Sequence, residues 1–402
     1  LLIGVRALQG VGAALMVPGS LSIINATFAR EERGRAIGLW AGVSGAVAAL
    51  GPVVGGLLAD LSWRLVFLAM VPIGVAAYVA SVLFVPKSSL RHARRVDTVG
   101  IVLVLLGLFG LSLAFIRLPD WGASISTALS AGGGVLSLAL FLIWERRISD
   151  PVLPYRIFTR NVAGANGATF FLYFAFQGIF FLLSFQVQEL LGLSSSVAGL
   201  TILPATLVIA FFSGPSGYVT DRWGPRFQMT LGPAVVVVGA TLLILLTAPE
   251  TGGLTLIPAV LIVGGGMVLV IPAITKTALD VPEELSGAAS GTNNALARVA
   301  GLFAVAVIGA ILVIAFRIEL LSALEQTELA RQEIRAIADR AASLGALKLP
   351  DSVSGQTADS VRGLMDEALA RAFRYTMVVN VAAASASLVI AAATIRNDSE
   401  GR

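Results

Sequence analysis

The sequence predicts an all-α protein that crosses a membrane many times. Three observations carry that prediction: 56% of the 402 residues are hydrophobic, only 13% are charged, and the apolar residues fall in repeated runs of about 20. An average soluble chain is roughly 25% charged, and so few charges cannot cover a soluble globule of this size. The mean hydropathy of +0.88 excludes disorder on the same ground. Gly and Pro, 42 and 16 in number, run through the apolar stretches, so the spans are helices whose neighbours satisfy any interrupted backbone bonds. With no cysteine and one histidine, thiol catalysis, disulfides, zinc fingers and iron–sulfur clusters are excluded. A net charge of +4 and a pI near 9.7 would suit nucleic acid if the basic residues clustered. They sit instead in short loops between apolar runs, where they orient a chain in a bilayer.

Apolar runs read against charged breaks give eleven spans, at 1–28, 34–59, 63–85, 97–117, 124–145, 162–188, 197–219, 226–248, 254–275, 285–316 and 371–395. The chain opens at Leu1 inside the first of them. No charged leader precedes that run and no small-residue cleavage site follows it, so it reads as a span rather than a signal peptide.

In the first span Arg6, Gln9 and Ala13 are spaced i, i+3, i+7 and share one helical face, with Gly10 and Gly12 between them. An arginine in a span either faces a cavity or snorkels to the interface, and the place of Arg6 near the start of the run fits both. The second span steps through Gly38, Gly42, Gly45, Ala49, Pro52 and Gly56 at intervals of 4, 3, 4, 3 and 4. That is an unbroken small-residue stripe about 27 Å long at 1.5 Å per residue. A second row, Ala48, Gly51, Gly55 and Ala59, lies beside it. Such rows let two backbones approach closely, and Pro52 frees a carbonyl and bends the helix. Tight packing is one reading of the stripe, and a hinge-like seam between moving bundles is the functional one. The third span holds Trp63-Arg64-Leu-Val-Phe67 and Val71-Pro72-Ile73-Gly74.

The fourth and fifth spans are almost wholly apolar. In the sixth, Asn166, Tyr173 and Gln177 are candidates for lining a cavity, although single polar residues of this sort also bond neighbouring helices. Between the seventh and eighth spans runs Gly217-Tyr-Val-Thr-Asp221-Arg222-Trp-Gly224-Pro225-Arg226. Here a carboxylate pairing with Arg and with a helix N-terminus would latch two helix ends; a plain turn with solvated charges is the alternative. The tenth span sets Gly287, Gly291, Asn294, Arg298 and Gly301 on one face at intervals of 4, 3, 4 and 3. Arg298 lies about 13 residues, roughly 20 Å, from the start of that span. Snorkelling from there is hard, so Arg298 is expected to face a cavity or interface with Asn294 as its polar neighbour.

Residues 317–370 differ in kind. Glu319, Glu325, Glu328, Arg331, Glu333, Arg335, Asp339 and Arg340 alternate with Leu, Ile and Ala at helical spacing, and a Gly/Ser/Asp-containing break follows at 344–356. The pattern predicts an external helical hairpin. None of the 24 acidic residues falls mid-span: Asp60, Asp97, Glu145, Glu189 and Asp221 all lie at ends or in loops.

Orientation follows from the Lys and Arg count. One set of short loops and the C-terminal tail hold sixteen basic residues, while the alternate short loops hold only Arg64 and Arg117. The first set is therefore cytoplasmic, the C-terminus with it, and the first span runs inward. If the N-terminus is cytoplasmic too, an odd number of spans precedes Leu1, one or three.

These motifs resemble the major facilitator superfamily, and within it the fourteen-helix drug:proton antiporters. Arg6, Gln9, Gly10 and Gly12 resemble the family's fourth-helix motif. Gly51-Pro52-Val-Val-Gly55-Gly56, with Gly38 upstream, resembles its fifth-helix antiporter motif, although Val47 stands where the longer pattern has a glycine. The Gly217–Arg226 loop resembles the cytoplasmic loop motif in its C-terminal copy, with Pro225 in place of a basic residue. The resemblance implies two pseudo-symmetric six-helix bundles around a midplane cavity, with two extra helices between them. On that scheme residues 1–86 hold helices four to six of the first bundle, 87–160 the two inserted helices with cytoplasmic linkers, and 161–402 the complete second bundle with its external 317–370 loop. The first three helices would precede Leu1.

The implied activity is secondary transport: export of an amphipathic, drug-like small molecule in exchange for protons, in a bacterial inner membrane. The proton gradient would be the energy source, with no cofactor and no metal. Partners would be the lipid bilayer, the substrate and protons, not nucleic acid, and a periplasmic adaptor is left open. A proton-coupled pump needs a carboxylate buried enough to exchange a proton near neutral pH, and the resemblance places that Asp in the family's first helix. Competing readings are a non-transporting membrane sensor or scaffold, and a carrier of another solute. No GxxxxGK[ST] or GxSxG sequence is present, which argues against a P-loop ATPase or a serine hydrolase.

Overall fold

The structure, a computed structural model, describes residues 2–27, 43, 47, 50–85, 97–121, 124–148, 151, 153, 155–248, 252–282, 285–327, 329–339 and 355–396. Among them the chain is helical, with no strand. The helices are α1 (Leu2–Thr27), α2 (Leu50–Leu61), α3 (Trp63–Leu68), α4 (Met70–Phe84), α5 (Thr98–Trp121), α6 (Ile125–Glu145), α7 (Arg160–Phe185), α8 (Ser195–Trp223), α9 (Pro225–Leu246), α10 (Ile257–Ala278), α11 (Ser286–Leu324), α12 (Arg331–Asp339) and α13 (Gly355–Thr394). Nine candidate spans among the described residues are long and apolar enough to cross a membrane, with α3 and α4 forming one of them. The other two predicted spans appear as α1 and the described part of α2. The protein is a multi-pass membrane protein.

The helix ends follow local chemistry. Thr159, Ser124 and Ser194 stand before α7, α6 and α8, and each hydroxyl accepts from the backbone N–H three residues on, occupying a donor that the first turn leaves free. Gly224 turns the chain from α8 into α9 at φ +79, where a side chain would be strained. Prolines lie inside α8, α9 and α10, as spans tolerate where neighbouring groups satisfy the interrupted backbone.

The core lies in the second half. Apart from Ala114, every buried apolar side chain among the described residues lies at position 157 or later. Helices α9 and α10 meet backbone to backbone: a β-carbon on Gly266 would lie 2.6 Å from the Gly232 carbonyl oxygen, and one on Gly232 would lie 2.7 Å from that of Gly266. Small residues thus bring these helices closer than any side chain would allow. The inserted pair α5 and α6 packs in the same way. Gly110 lies against Gly134, and the Ser137 hydroxyl donates to the Leu103 carbonyl at 2.8 Å. Phe115 and Phe303, edge to face at 6.4 Å, seat this pair against α11.

The expected hairpin over 317–370 takes a different form. Helix α11 runs unbroken to Leu324 and α13 begins at Gly355, so the two long helices supply much of the segment themselves. The reason is visible in Arg317-Ile-Glu-Leu-Leu-Ser-Ala-Leu324, which has no Gly or Pro to stop a helix. Its apolar face continues too, since Leu320, Ala323 and Leu324 are buried together with Ile337 of α12. An ion pair of 3.4 Å between Arg371 and Glu319 ties the two extensions together. Residues 340–354, with the predicted break at 344–356 in large part, lie outside the described residues.

Candidate functional site

Five of the residues singled out in the sequence meet in one hollow. Tyr173, Phe176 and Gln177 of α7 face Asn294, Ala297, Arg298, Gly301 and Leu302 of α11 across a cavity of about 470 Å³. The spacing is that of one helical stripe on each side, i, i+3, i+4 on α7 and i, i+3, i+4, i+7, i+8 on α11. Gly301 makes room for Gln177: a β-carbon there would come within 3.2 Å of its Cγ. The Asn294 amide donates to the Ser290 carbonyl of its own helix at 3.0 Å. Among the described residues, no hydrogen bond or ion pair engages Arg298.

Asn166 has a different place. It is buried, 3% exposed, and does not line the hollow. Its amide donates to Val162 at 2.9 Å, and its oxygen accepts from Asn293 at 3.1 Å; Asn293 also donates to the Thr169 hydroxyl at 2.8 Å. This polar cluster joins α7 to α11 beside the cavity. Asn293 was not singled out in the sequence, where its neighbour Asn294 carried the spacing signal.

The small-residue stripe meets α8. Gly199 fits under the Pro52 carbonyl and Gly56 under the Ser195 carbonyl, so closely that a β-carbon at either glycine would collide with the opposite backbone. Gly51 and Gly55, of the second row, have nothing within 4 Å of a β-carbon. The two rows therefore differ, and the row containing Pro52 and Gly56 is the one in contact. Gly38 and its partners Gly42, Gly45 and Ala49 lie outside the described residues.

At the end of this contact stands Asp60, one residue beyond the predicted span. Its Oδ1 accepts from the Ser195 N–H at 2.9 Å and its Oδ2 from the Ser196 N–H at 3.0 Å. A carboxylate at a helix N-terminus is favoured by the free N–H groups and by the macrodipole. Hydrogen bonding from the Ser196 side chain, with the Ser196 and Ser195 backbone N–H groups and the Ser194 side chain, holds its carboxyl below the ordinary 3.8, outweighing a smaller opposing effect of desolvation.

The loop from Gly217 to Arg226 forms one wall of a second hollow, lined by Asp221, Arg222, Gly224, Lys276 and Arg396 among others. The expected pairing of Asp221 with an arginine is replaced by one with Lys276, at 2.6 Å, from the last turn of α10. Lysine reaches there because α10 ends beside the loop, whereas Arg226 is turned toward α13 and donates to Ala392 at 3.3 Å. Arg160 donates to Ala393 at 2.7 Å, so two cations sit on the carbonyls at the α13 C-terminus. Beneath the loop, buried Gln228 donates to the Ser216 carbonyl at 2.9 Å and accepts from Thr220. Gly217 is unconstrained by packing.

In α1, Arg6 donates to Gln9 at 2.6 Å and its guanidinium lies 4.3 Å from the Phe67 ring centre. Trp63 meets Phe67 edge to face at 5.8 Å and Arg64 stacks on Trp63 at 4.6 Å. The first and third spans are thus joined by a cation–aromatic cluster.

The described residues thus form a helical multi-pass scaffold with a hollow between α7 and α11 that has an arginine in its wall, and a close glycine contact between α2 and α8. The sequence matches the Major Facilitator Superfamily over residues 1–305, and the chain belongs to that family. It is 31% identical over 313 residues to the tetracenomycin C resistance and export protein of Streptomyces glaucescens, covering 76% of this chain and 58% of that protein. The multidrug resistance protein Stp of Mycobacterium tuberculosis is 30% identical over 311 residues, again 76% and 58%. The multidrug efflux pump LfrA of Mycolicibacterium smegmatis is 30% identical over 402 residues, covering 98% of this chain and 77% of the pump. The chain therefore spans somewhat over half the length of the first two relatives.

Proposed function

We propose that this protein exports amphipathic, drug-like small molecules in exchange for protons, by alternating access, from a bacterial inner membrane with its C-terminus on the cytoplasmic side. The observation that carries the reading is the hollow between α7 and α11. It offers two aromatic faces, two amides and one cation within a cavity of about 470 Å³, a size and composition suited to a small amphipathic ligand. The three relatives named for resistance, export or efflux support it. The α2–α8 contact adds a seam in which glycines meet the opposite backbone and one carboxylate caps a helix. The basic-residue count supports the orientation.

The energy source in this reading is the proton gradient, with no cofactor or metal. Among the described residues no Asp or Glu lines the hollow, and the family resemblance places the carboxyl that exchanges the proton in the first helix of the full fold. The test is uptake of a fluorescent amphipath into everted vesicles carrying the protein. Uptake is expected, and a protonophore should abolish it. Uptake that survives the protonophore would remove proton exchange, and no uptake across a panel of amphipaths would remove export.

A further inference from the structure

Arg298 sets the charge of whatever the hollow holds. It lies twelve residues into α11 from Ser286, about 18 Å along the axis, and its guanidinium stays protonated at any physiological pH. A cation at that depth costs several kcal/mol unless it meets an anion or water. Gln177 and Asn294 are neutral, Tyr173 and Phe176 are aromatic, and among the described residues no lining side chain carries negative charge. With no ion pair on Arg298 among the described residues, the described part of the wall presents an exposed positive charge next to two ring faces.

We propose that the hollow between α7 and α11 takes aromatic organic anions, a ring system bearing a carboxylate, sulfonate or ionised phenol, and disfavours permanent cations. The argument has three parts. A guanidinium binds a carboxylate or sulfonate through two parallel N–H groups, which a cationic cargo cannot use. Like charge at close range is repulsive, so a quaternary ammonium on the same ring system is disfavoured. Tyr173 and Phe176 provide faces for stacking while the Gln177 and Asn294 amides hold polar ring substituents. This rests on the reading of the hollow as the cargo site and narrows it to a charge class.

The experiment compares two probes of one ring system and opposite charge, 2-naphthoate and 2-naphthyltrimethylammonium, binding to the purified protein in nanodiscs. Equilibrium dialysis against Arg298→Gln, Arg298→Lys and empty discs supplies the controls. Naphthoate is expected to bind saturably, at least about tenfold more tightly than the ammonium, as one charge-assisted contact predicts. Arg298→Gln should remove that preference and Arg298→Lys should keep part of it. Equal affinities in the unaltered protein, no saturable naphthoate binding, or a preference undiminished in folded Arg298→Gln each overturn the proposal. Arg298→Lys guards against misfolding of the glutamine variant, because it keeps the charge. The same discs separate this inference from the transport reading: anion-selective binding without protonophore-sensitive uptake in vesicles leaves the charge class standing and removes the exporter.

Discussion

The Asp60 carboxylate reaches across from α2 to α8 and accepts the backbone N–H of Ser196 at 3.0 Å, with Ser195 on its second oxygen at 2.9 Å. One side chain thereby fastens the end of a seam in which Gly56 and Gly199 meet the opposite backbone. An Asp60→Ala variant should loosen that end, and Asp60→Asn, which keeps one acceptor oxygen, should loosen it less. The sequence contains no cysteine, so spin labels on Leu57→Cys and Leu193→Cys report the separation without background. A longer or broader distance distribution in Asp60→Ala is expected, and a distribution identical to that of the parent would show that the carboxylate does not fasten the seam.

The same carboxylate sets a pH range. Its folded value lies below the ordinary 3.8, so the contribution to the closed seam is fully present above about pH 3.8 and is lost as pH falls through the lower folded value. Between pH 5 and 8 the Leu57–Leu193 distance should therefore be constant, and it should lengthen only in stronger acid. A transition near pH 6 would mean that another group controls the seam.

The glycine contacts predict a sharp contrast between neighbours. Gly199→Val must push against the Pro52 carbonyl, and Gly56→Val against the Ser195 carbonyl, and overpacking of this kind costs about 1–3 kcal/mol. Gly55→Ala and Gly51→Ala meet nothing within 4 Å and should be neutral or slightly stabilising, by about 0.4–1 kcal/mol through the unfolded chain. Thermal unfolding of the four variants in detergent orders them. Equal losses at Gly55 and Gly56 would refute the assignment of the contact to one row.

Much of this was legible in the sequence because hydropathy and spacing are properties of a single helix. The spans follow from apolar runs, and Asn294 with Arg298, and Tyr173 with Gln177, follow from positions four apart on one face. Contacts between helices were not legible, since they depend on rotation and offset that no single run encodes. Asp60 read as an acid at a span end, Lys276 as a loop charge, and Asn293 was hidden beside Asn294. Asn166 read as a cavity candidate, and it instead serves the α7–α11 cluster. The long extensions of α11 and α13 were missed because the charges beginning at Arg317 and Glu319 looked like a boundary, whereas the helix continues through them.

The polar cluster of Asn166, Thr169 and Asn293 sets a second contrast. Asn293→Ala removes two bonds to α7, and interhelical bonds in membrane proteins average about 0.6 kcal/mol each, reaching about 1.7. Asn294→Ala removes only a bond to its own helix. Denaturation in mixed micelles should therefore show Asn293→Ala less stable than Asn294→Ala by about 0.5–2 kcal/mol, with the reverse order contradicting the placement of the cluster.

The Lys276–Asp221 pair is the reverse case, close in space and weak in energy. Its side chains are 55% and 68% exposed, and exposed pairs contribute about 0–1 kcal/mol, less as salt rises. Lys276→Gln should leave the unfolding temperature nearly unchanged. Its effect belongs instead to the relative positions of α8 and α10 at the Arg-rich end, because the pair bridges that loop and the end of α10. A cysteine pair at Arg222 and Asp280, which line the same hollow, should cross-link at a different rate in Lys276→Gln than in the parent at low salt. The difference should shrink at about 1 M salt, where the Debye length falls to about 3 Å. Equal rates at both ionic strengths would reduce the pair to a solvated turn.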